Sequence, residues 1–140
     1  MDPFHLERFV DAQAGCYEAA LAELRRGRKT SHWMWFIFPQ IAGLGRSSTA
    51  IYYAIRSLDE ARAYLGHRVL GPRLRACTEA LLAHGGESAQ AILGSIDAMK
   101  LKSSMTLFAE AADDAGLFER CLGAFFGGAR DAGTLRLLGR

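Results

Sequence analysis

The chain has 140 residues, of which half are hydrophobic and 23% are charged, and its formal net charge is +2. This length suits one domain with a single core, and the composition is that of a globular protein rather than a disordered one. A net charge this small does not favour nucleic-acid binding through phosphate contacts. The three cysteines are widely spaced and form no metal-binding motif, which is typical of free thiols in a reducing compartment.

The start of the chain has no feature of a targeting segment. An acidic residue stands at position 2 and no basic flank precedes an apolar core, so we expect no secretory signal. The apolar run at residues 33–38 is far shorter than the ~20 residues that cross a bilayer. We therefore expect a cytoplasmic protein without membrane contact.

The first predicted element is one long helix that begins at Asp2 and Pro3, because a carboxylate N-cap and a proline at the first helical position are both favoured. Apolar residues then recur at three- and four-residue steps as far as residue 24. Charged residues fall mainly off that stripe, among them Arg8 and Glu23. We expect the helix to end at Gly27.

Residues 31–40 form the most unusual segment, since they contain both tryptophans and a run of six apolar residues at 33–38. The run has no helical spacing, so we expect either buried extended chain or a tightly packed short helix. Pro39 closes it. Polar residues flank it on both sides, and an apolar wall with polar rims is typical of a small-molecule pocket. The segment is therefore core, pocket wall, or both at once.

The next stretch, residues 40–48, has the composition of a loop. Its glycines, guanidinium and hydroxyls are the ingredients of an anion-binding loop, although their spacing matches neither the Walker nor the dinucleotide motif. A plain connecting loop is the alternative. The residues concerned are Gly43, Gly45, Arg46, Ser47 and Ser48.

The remainder of the chain predicts helices that are separated by glycines and capped by small polar residues. The expected caps are Ser57 with Glu60 in a capping box, Ser88, either Ser95 or Asp97, and Asp131. Nothing repeats internally and alternating strand patterns are scarce. We therefore predict a mainly α protein, with residues 1–140 as a single globular helical domain, folded as a compact multihelical bundle around the buried aromatic segment.

Few residues are candidates for chemistry, because no catalytic triad order, paired-cysteine site or H-E-x-x-H motif is present. We expect no metal ion and no cofactor. His32 adjoins the buried segment, and histidine is a residue type well suited to proton transfer near neutral pH, although a hydrogen-bonded core histidine is the alternative. A catalytic carboxylate would be Asp97, Glu60 or Asp131, and of these we assign Asp97. The lysines and hydroxyls at 100–106 either bind a phosphate or carboxylate or form a solvated helix face.

Four runs of sequence resemble the bacterial domain-of-unknown-function family numbered 1810. They are HWMWFIFPQ at residues 32–40, GLGRS at 43–47, YLGHRVLGPRL at 64–74 and DAMKLKSSMTLF at 97–108. The resemblance covers nearly the whole chain, down to Asp131 and Thr134, and its motifs are specific. It implies a small, multihelical, single-domain cytosolic protein, and it gives almost no information about function. Some members carry the label calpastatin, which nothing in this sequence supports.

A more distant likeness, at the level of general architecture, is to the NADAR group. That group is associated with NAD and ADP-ribose and with removal of ADP-ribose from guanine bases. The likeness implies binding of ligands of this kind, but no catalytic residue can be transferred from that group to a position in this chain.

These observations favour a nucleotide-like ligand of the ADP-ribose or NAD type, with hydrolysis of an N-glycosidic bond as the reaction if the protein is an enzyme. The predicted catalytic residues are His32 and Asp97. Such a ligand needs an aromatic ring for its base and cations for its phosphates. The predicted ligand-binding residues are Trp33, Trp35, Gln40, Arg46, Ser47, Tyr52, Lys100, Lys102, Ser103 and Ser104.

Two alternatives stay open. A non-catalytic adaptor or regulator would expose an apolar patch to a protein partner, and a single-stranded nucleic-acid binder would expose aromatic rings in a basic groove. The near-neutral charge disfavours any nucleic acid except a modified base. We expect a monomer or a weak homodimer. Whether His32, Arg46 and Lys102 converge in space separates the ligand site from the adaptor.

Overall fold

Ten helices account for the secondary structure, and no extended strand is formed; the computed structural model describes residues 1–140. The helices are α1 (Glu7–Gln13), α2 (Tyr17–Arg26), α3 (Met34–Ile37), α4 (Ser48–Tyr52), α5 (Leu58–Gly66), α6 (Leu70–Leu82), α7 (Ala89–Leu93), α8 (Ser95–Ala111), α9 (Gly116–Phe126) and α10 (Ala132–Leu137). The one pairing of extended backbone is a parallel bridge between Ile41 and Ile55. The prediction of a mainly α fold is confirmed.

The longest helix, α8, lies at the centre of the packing. It contacts α5, α7, α9 and α10, and ten of its 17 residues are buried. The apolar side chains of the core form one cluster of 31 buried residues. None of the ten helices combines the length and the apolar character that crossing a bilayer requires.

The predicted long N-terminal helix is wrong, because the chain forms two helices with a turn between them. The Asp2 carboxylate does accept hydrogen bonds from the backbone N–H groups of Leu6 and Glu7, at 2.8 and 2.9 Å, but the helix begins only at Glu7. The turn at residues 14–16 contains Gly15, a poor helix former. It allows α1 to pack on α3 while α2 packs on α6. Gly27 ends α2 as predicted, with a left-handed φ of 75°.

Three predicted N-caps are confirmed, and each accepts a hydrogen bond from the backbone N–H three residues later: Ser57, Ser88 and Asp131. The predicted cap of α8 by Ser95 or Asp97 is wrong. Gly94 occupies that position with a φ of 87° and provides no side-chain cap. It is the one residue between α7 and α8, so a left-handed backbone makes this tight turn where a capping side chain was expected.

The aromatic segment forms α3, the second of its two predicted alternatives. Trp33, Met34, Ile37 and Phe38 are all at most 1% exposed, so most of the segment is core. Trp35 is only half-buried. This division follows helical periodicity, in which positions three and four apart share one face.

Arg8 is buried, although its position off the apolar stripe predicted a surface residue. Its Nη2 forms a salt bridge of 2.7 Å with Oε2 of Glu60, and both side chains are at most 6% exposed. Its other guanidinium bonds go to the backbone carbonyls of Phe4, His5, Tyr52 and Ala54. All five N–H donors are therefore used, and they join the N-terminal turn to α5 and to the end of α4.

Candidate functional site

The loop that leads into α3 is held by one buried carboxylate, that of Glu23 on α2. It accepts hydrogen bonds from the backbone N–H groups of Thr30 and Ser31 at 2.7 and 3.0 Å, from the Ser31 hydroxyl, and from the indole of Trp33 at 3.0 Å. Burial by itself would raise the pKa of Glu23, but these donors outweigh it and lower the pKa to about 2. The carboxylate thus fixes the loop and keeps Trp33 in the core.

Two residues further on, Trp35 is the indole that remains partly exposed. Its N–H makes no hydrogen bond to the protein, in contrast to the N–H of Trp33. The ammonium of Lys100 lies 4.8 Å from the centre of the Trp35 ring, which is a cation–π distance. Trp35 therefore presents an aromatic surface beside a positive charge.

A row of three charged side chains connects the loop to the first turn of α8. The Asp97 carboxylate lies 2.9 Å from Lys29 and 3.7 Å from Lys100. Lys29 also donates to the carbonyl of Ser31 and lies 5.0 Å from the centre of the Trp33 ring. Two ammonium groups and one carboxylate leave the row with one positive charge.

Two cavities that both contact Ile96 flank this row, and we call them together the Trp35 cleft. One cavity, which we call the His32 side of the cleft, has a volume of about 450 Å³, and beside Trp35 its polar lining consists of Lys29, His32, Ser95 and Asp97. The other cavity, which we call the Lys102 side of the cleft, has a volume of about 560 Å³, and its polar lining consists of Gln40, Lys100, Lys102, Ser103 and Asp131. Both volumes lie in the range of small-molecule sites.

Some polar groups of the cleft are already bonded to other groups of the protein, and others have no protein partner. The Ser103 hydroxyl donates to the carbonyl of Met99 at 3.2 Å, the bond to the preceding turn that we expected as the alternative to a ligand contact. The imidazole of His32, the amide of Gln40 and the ammonium of Lys102 make no hydrogen bond or ion pair with the protein. No group of histidine, cysteine, aspartate and glutamate is arranged to hold a metal ion.

Comparison with known proteins places the chain in a family. The model described as "Protein of unknown function (DUF1810)" matches residues 3–138. The chain belongs to the DUF1810 family. The crystal structure at 1.38 Å of the conserved hypothetical protein Rv1873 from Mycobacterium tuberculosis is similar to it over 99% of both chains, with 51% sequence identity and a TM-score of 0.97. A search of curated proteins gives no match.

In this DUF1810 protein the cleft brings together seven of the predicted site residues: His32, Trp35, Gln40, Asp97, Lys100, Lys102 and Ser103. Five others lie outside it. Trp33 is 1% exposed and has no face for a base, and Ser104 is fully buried. Arg46 is exposed and lines neither cavity, the Ser47 hydroxyl caps α4, and Tyr52 lines a different cavity.

Sequence reasoning missed four residues that shape the DUF1810 cleft. Glu23 lies off the predicted apolar stripe, and only the fold brings the loop 30–33 onto it. Lys29 lies two residues before the aromatic segment, and this proximity is the one signal in the sequence. Ile96 and Met99 are 72% and 73% exposed, and an apolar residue on a predicted helix does not by itself indicate exposure.

Proposed function

We propose that the Trp35 cleft binds a nucleotide-like ligand of the ADP-ribose or NAD type. One observation supports this most directly: a partly exposed indole, an imidazole and an ammonium without protein partners line two cavities that meet at Ile96. Free polar groups at the rim of an apolar wall are the usual means by which a pocket orients a small molecule. The DUF1810 family itself supplies no activity to test against.

The proposed arrangement places the base on the His32 side of the cleft and the phosphates on the Lys102 side. A base would stack against Trp35, next to His32, and base–aromatic stacking is worth about 1–3 kcal/mol. Lys102 would meet a phosphate, because its ammonium is not already paired, and the Gln40 amide would donate to a phosphate or ribose oxygen. The Lys100 ammonium lies between these two positions, where it contacts both the Trp35 ring and the Asp97 carboxylate.

The reaction that we propose for such a ligand is hydrolysis of an N-glycosidic bond. The bond between the anomeric carbon and the base nitrogen breaks, and the nitrogen leaves with the electron pair and takes up a proton. Water forms the new bond to the anomeric carbon and loses a proton. His32 would orient that water and accept its proton, and the Asp97 carboxylate would stabilise positive charge on the sugar.

A fluorescence titration tests the binding proposal. Purified protein is titrated with ADP-ribose, NAD, AMP and GMP while tryptophan emission is followed, and we expect saturable quenching by ADP-ribose. Lys102→Ala should weaken binding by about tenfold, since a charge-assisted hydrogen bond is lost. Arg46→Ala is the matched control, because it removes one exposed cation outside the cleft and should leave the affinity unchanged. Equal losses in the two variants would contradict the proposed site.

A hydrolysis assay tests the reaction separately from binding. Release of ADP-ribose from ADP-ribosylated guanosine is measured by chromatography for the wild type and for His32→Ala. We expect the variant to lose turnover and to keep most of its affinity, because the proposed role of His32 is to accept a proton from water, whereas Trp35 and Lys102 make the main contacts with the ligand. Binding without turnover in the wild type would leave the cleft as a ligand sensor and refute the proposed reaction.

An adaptor function has one observation in its favour. Ile96 and Met99 are among the most exposed large apolar side chains, at 72% and 73%, and they lie three residues apart on α8, beside the cleft. His32 and Lys102 line the two parts of the cleft whereas Arg46 lines neither, so the three predicted residues converge only in part. A flat fluorescence response to all four nucleotides would favour the adaptor.

A further inference from the structure

A further cavity, outside the Trp35 cleft, lies between the N-terminal turn and α4. Its volume is about 650 Å³, and it shares no lining residue with either part of the Trp35 cleft. Phe4 and His5 form one wall, and Ile51, Tyr52 and Arg56 form the other. We call this cavity the Tyr52 pocket.

One wall of the Tyr52 pocket has a strained backbone. His5 has a φ of 52°, and it is the only non-glycine residue with a positive φ. Two donors fix this conformation, because Nη1 of Arg8 binds the carbonyls of Phe4 and His5 at 2.7 and 2.8 Å. The His5 ring then meets the edge of Tyr52, with ring centres 6.2 Å apart and planes at 83°. Strain that the surrounding structure maintains is frequent at ligand-binding positions.

The floor of the pocket is saturated with internal bonds. Arg8 uses all five of its donors, one of them in the salt bridge with Glu60. The other carboxylate oxygen of Glu60 accepts from the backbone N–H of Arg56 at 3.0 Å. The floor therefore offers neither a free charge nor a free donor, and recognition depends on the rim.

The rim has the opposite character. The Arg56 guanidinium is exposed and makes no ion pair or hydrogen bond, and neither the Tyr52 hydroxyl nor the His5 ring has a hydrogen-bond partner. Ile51 and Tyr52 are 58% and 51% exposed, unusual values for large apolar side chains in this chain. One unpaired cation thus lies beside an aromatic and an aliphatic surface.

We propose that the Tyr52 pocket binds a small organic anion, in which a planar apolar body carries one carboxylate or phosphate group. The body packs on Tyr52 and Ile51, and the anionic group forms a two-pronged hydrogen bond with the Arg56 guanidinium. The His5 ring closes the side of the pocket next to Tyr52. This site is independent of the Trp35 cleft and of any nucleotide bound there.

The experiment is an NMR titration of ¹⁵N-labelled protein with benzoate and, separately, with phenyl phosphate. We expect saturable shifts at the backbone amides of residues 4–8 and 51–57 for at least one of these probes, and the comparison of the two distinguishes a carboxylate from a phosphate ligand. Benzamide has the same ring without the charge, and it should bind about tenfold more weakly or not at all.

Two variants complete the test. Arg56→Gln should weaken binding by about tenfold, and Arg62→Gln, which removes another exposed arginine a few residues away on α5, should not change it. Tyr52→Ala should also weaken binding, because it removes the surface for the planar body. The proposal is overturned if neither probe saturates, if the shifts fall in the Trp35 cleft, if benzamide binds as well as benzoate, or if Arg56→Gln binds like the wild type.

Discussion

The chain contains two kinds of polar region: a closed framework, which consists of one network around Glu23 and a separate network around Arg8 and Glu60, and the open Trp35 cleft. In the framework, each charged group is at least nine-tenths buried and is bonded to several named partners. In the cleft, His32 and Lys102 have no partner within the protein. Residue type does not distinguish the two regions, since both contain charged and aromatic side chains. What distinguishes them is whether the protein already satisfies their hydrogen bonds.

The two tryptophans show this difference at a separation of two residues. The Trp33 indole is buried and donates to Glu23 at 3.0 Å. The Trp35 indole is half-buried, has no acceptor, and shares its face with Lys100. The Trp33 indole helps to hold the loop 30–33 in place. Because that loop is held, the Trp35 indole is available to a ligand. A pocket of this kind therefore depends on the Glu23 network next to it.

The largest expected effect on stability comes from removing the Glu60 carboxylate from the framework. Glu60→Ala leaves the Arg8 guanidinium buried without its counter-ion, and the free energy of unfolding should fall by about 3–5 kcal/mol. Urea denaturation measures this. Asp59→Ala is the control, because its salt bridge with Arg62 is exposed and such pairs contribute at most about 1 kcal/mol. Similar losses for both variants would mean that the buried pair does not hold the framework together.

A second expectation concerns the pH dependence that Glu23 brings to the same framework. Its pKa is about 2 in the folded protein, against 4.5 for an unperturbed glutamate. Because the folded pKa is the lower one, the stabilisation is complete above pH 4.5 and is lost as the pH falls toward 2, and it amounts to about 3 kcal/mol. Urea denaturation at a series of pH values should show this loss in the wild type.

Glu23→Gln isolates that contribution. The variant should be less stable than the wild type at pH 7, and the difference between the two should shrink as the pH falls from 4.5 toward 2. The other carboxylates titrate in both proteins and cancel in the comparison. A difference that stays constant over this range would show that the charge of Glu23 is not what the loop depends on.

The third expectation compares the tryptophans directly. Trp33→Phe removes a buried indole and one of the donors to Glu23, so the free energy of unfolding should fall by about 1–3 kcal/mol. Trp35→Phe removes no hydrogen bond and keeps an aromatic face for Lys100, so its effect should stay below about 1 kcal/mol. If Trp35→Phe were the more destabilising of the two, the cleft would belong to the framework.

Local patterns predicted the parts of the fold that depend on neighbours in sequence. The caps at Ser57, Ser88 and Asp131 and the stop at Gly27 follow from a few adjacent residues, and all four are confirmed. The break near Gly15 was missed, because the apolar periodicity continues across it while the two halves pack on different helices. Periodicity records burial, and it does not record which partner buries the residue.

The candidate site was predictable only in part for a related reason. Motif resemblance and residue type selected seven residues that line the cleft, and they also selected Trp33, which is core. Glu23 accepts the hydrogen bond of the buried indole, but it lies ten residues before Trp33, on α2, and its position off the apolar stripe fits a solvated surface residue. The pairing of Arg8 with Glu60, 52 positions apart, likewise leaves no local trace.

The smallest expected effect tests where the cleft ends. Ser104 was predicted to bind ligand, yet its hydroxyl is fully buried and has no hydrogen-bond partner. Ser104→Ala removes this unsatisfied group and places a better helix former inside α8, so stability should rise by about 0.5–1 kcal/mol. Thermal and urea unfolding measure the change. Ser103→Ala is the neighbouring control, because the Ser103 hydroxyl is bonded to Met99, and its effect should be close to zero.

The direction of the change in stability of Ser104→Ala, together with its affinity for ADP-ribose, shows whether Ser104 belongs to the core or to the cleft. A gain in stability with unchanged affinity for ADP-ribose places Ser104 in the core, beyond the inner limit of the cleft. A loss of stability would mean that the hydroxyl has a partner in solution, such as a buried water. A loss of affinity would mean that the ligand reaches the Ser104 hydroxyl, and the cleft would then extend past Ser103 into the buried face of α8.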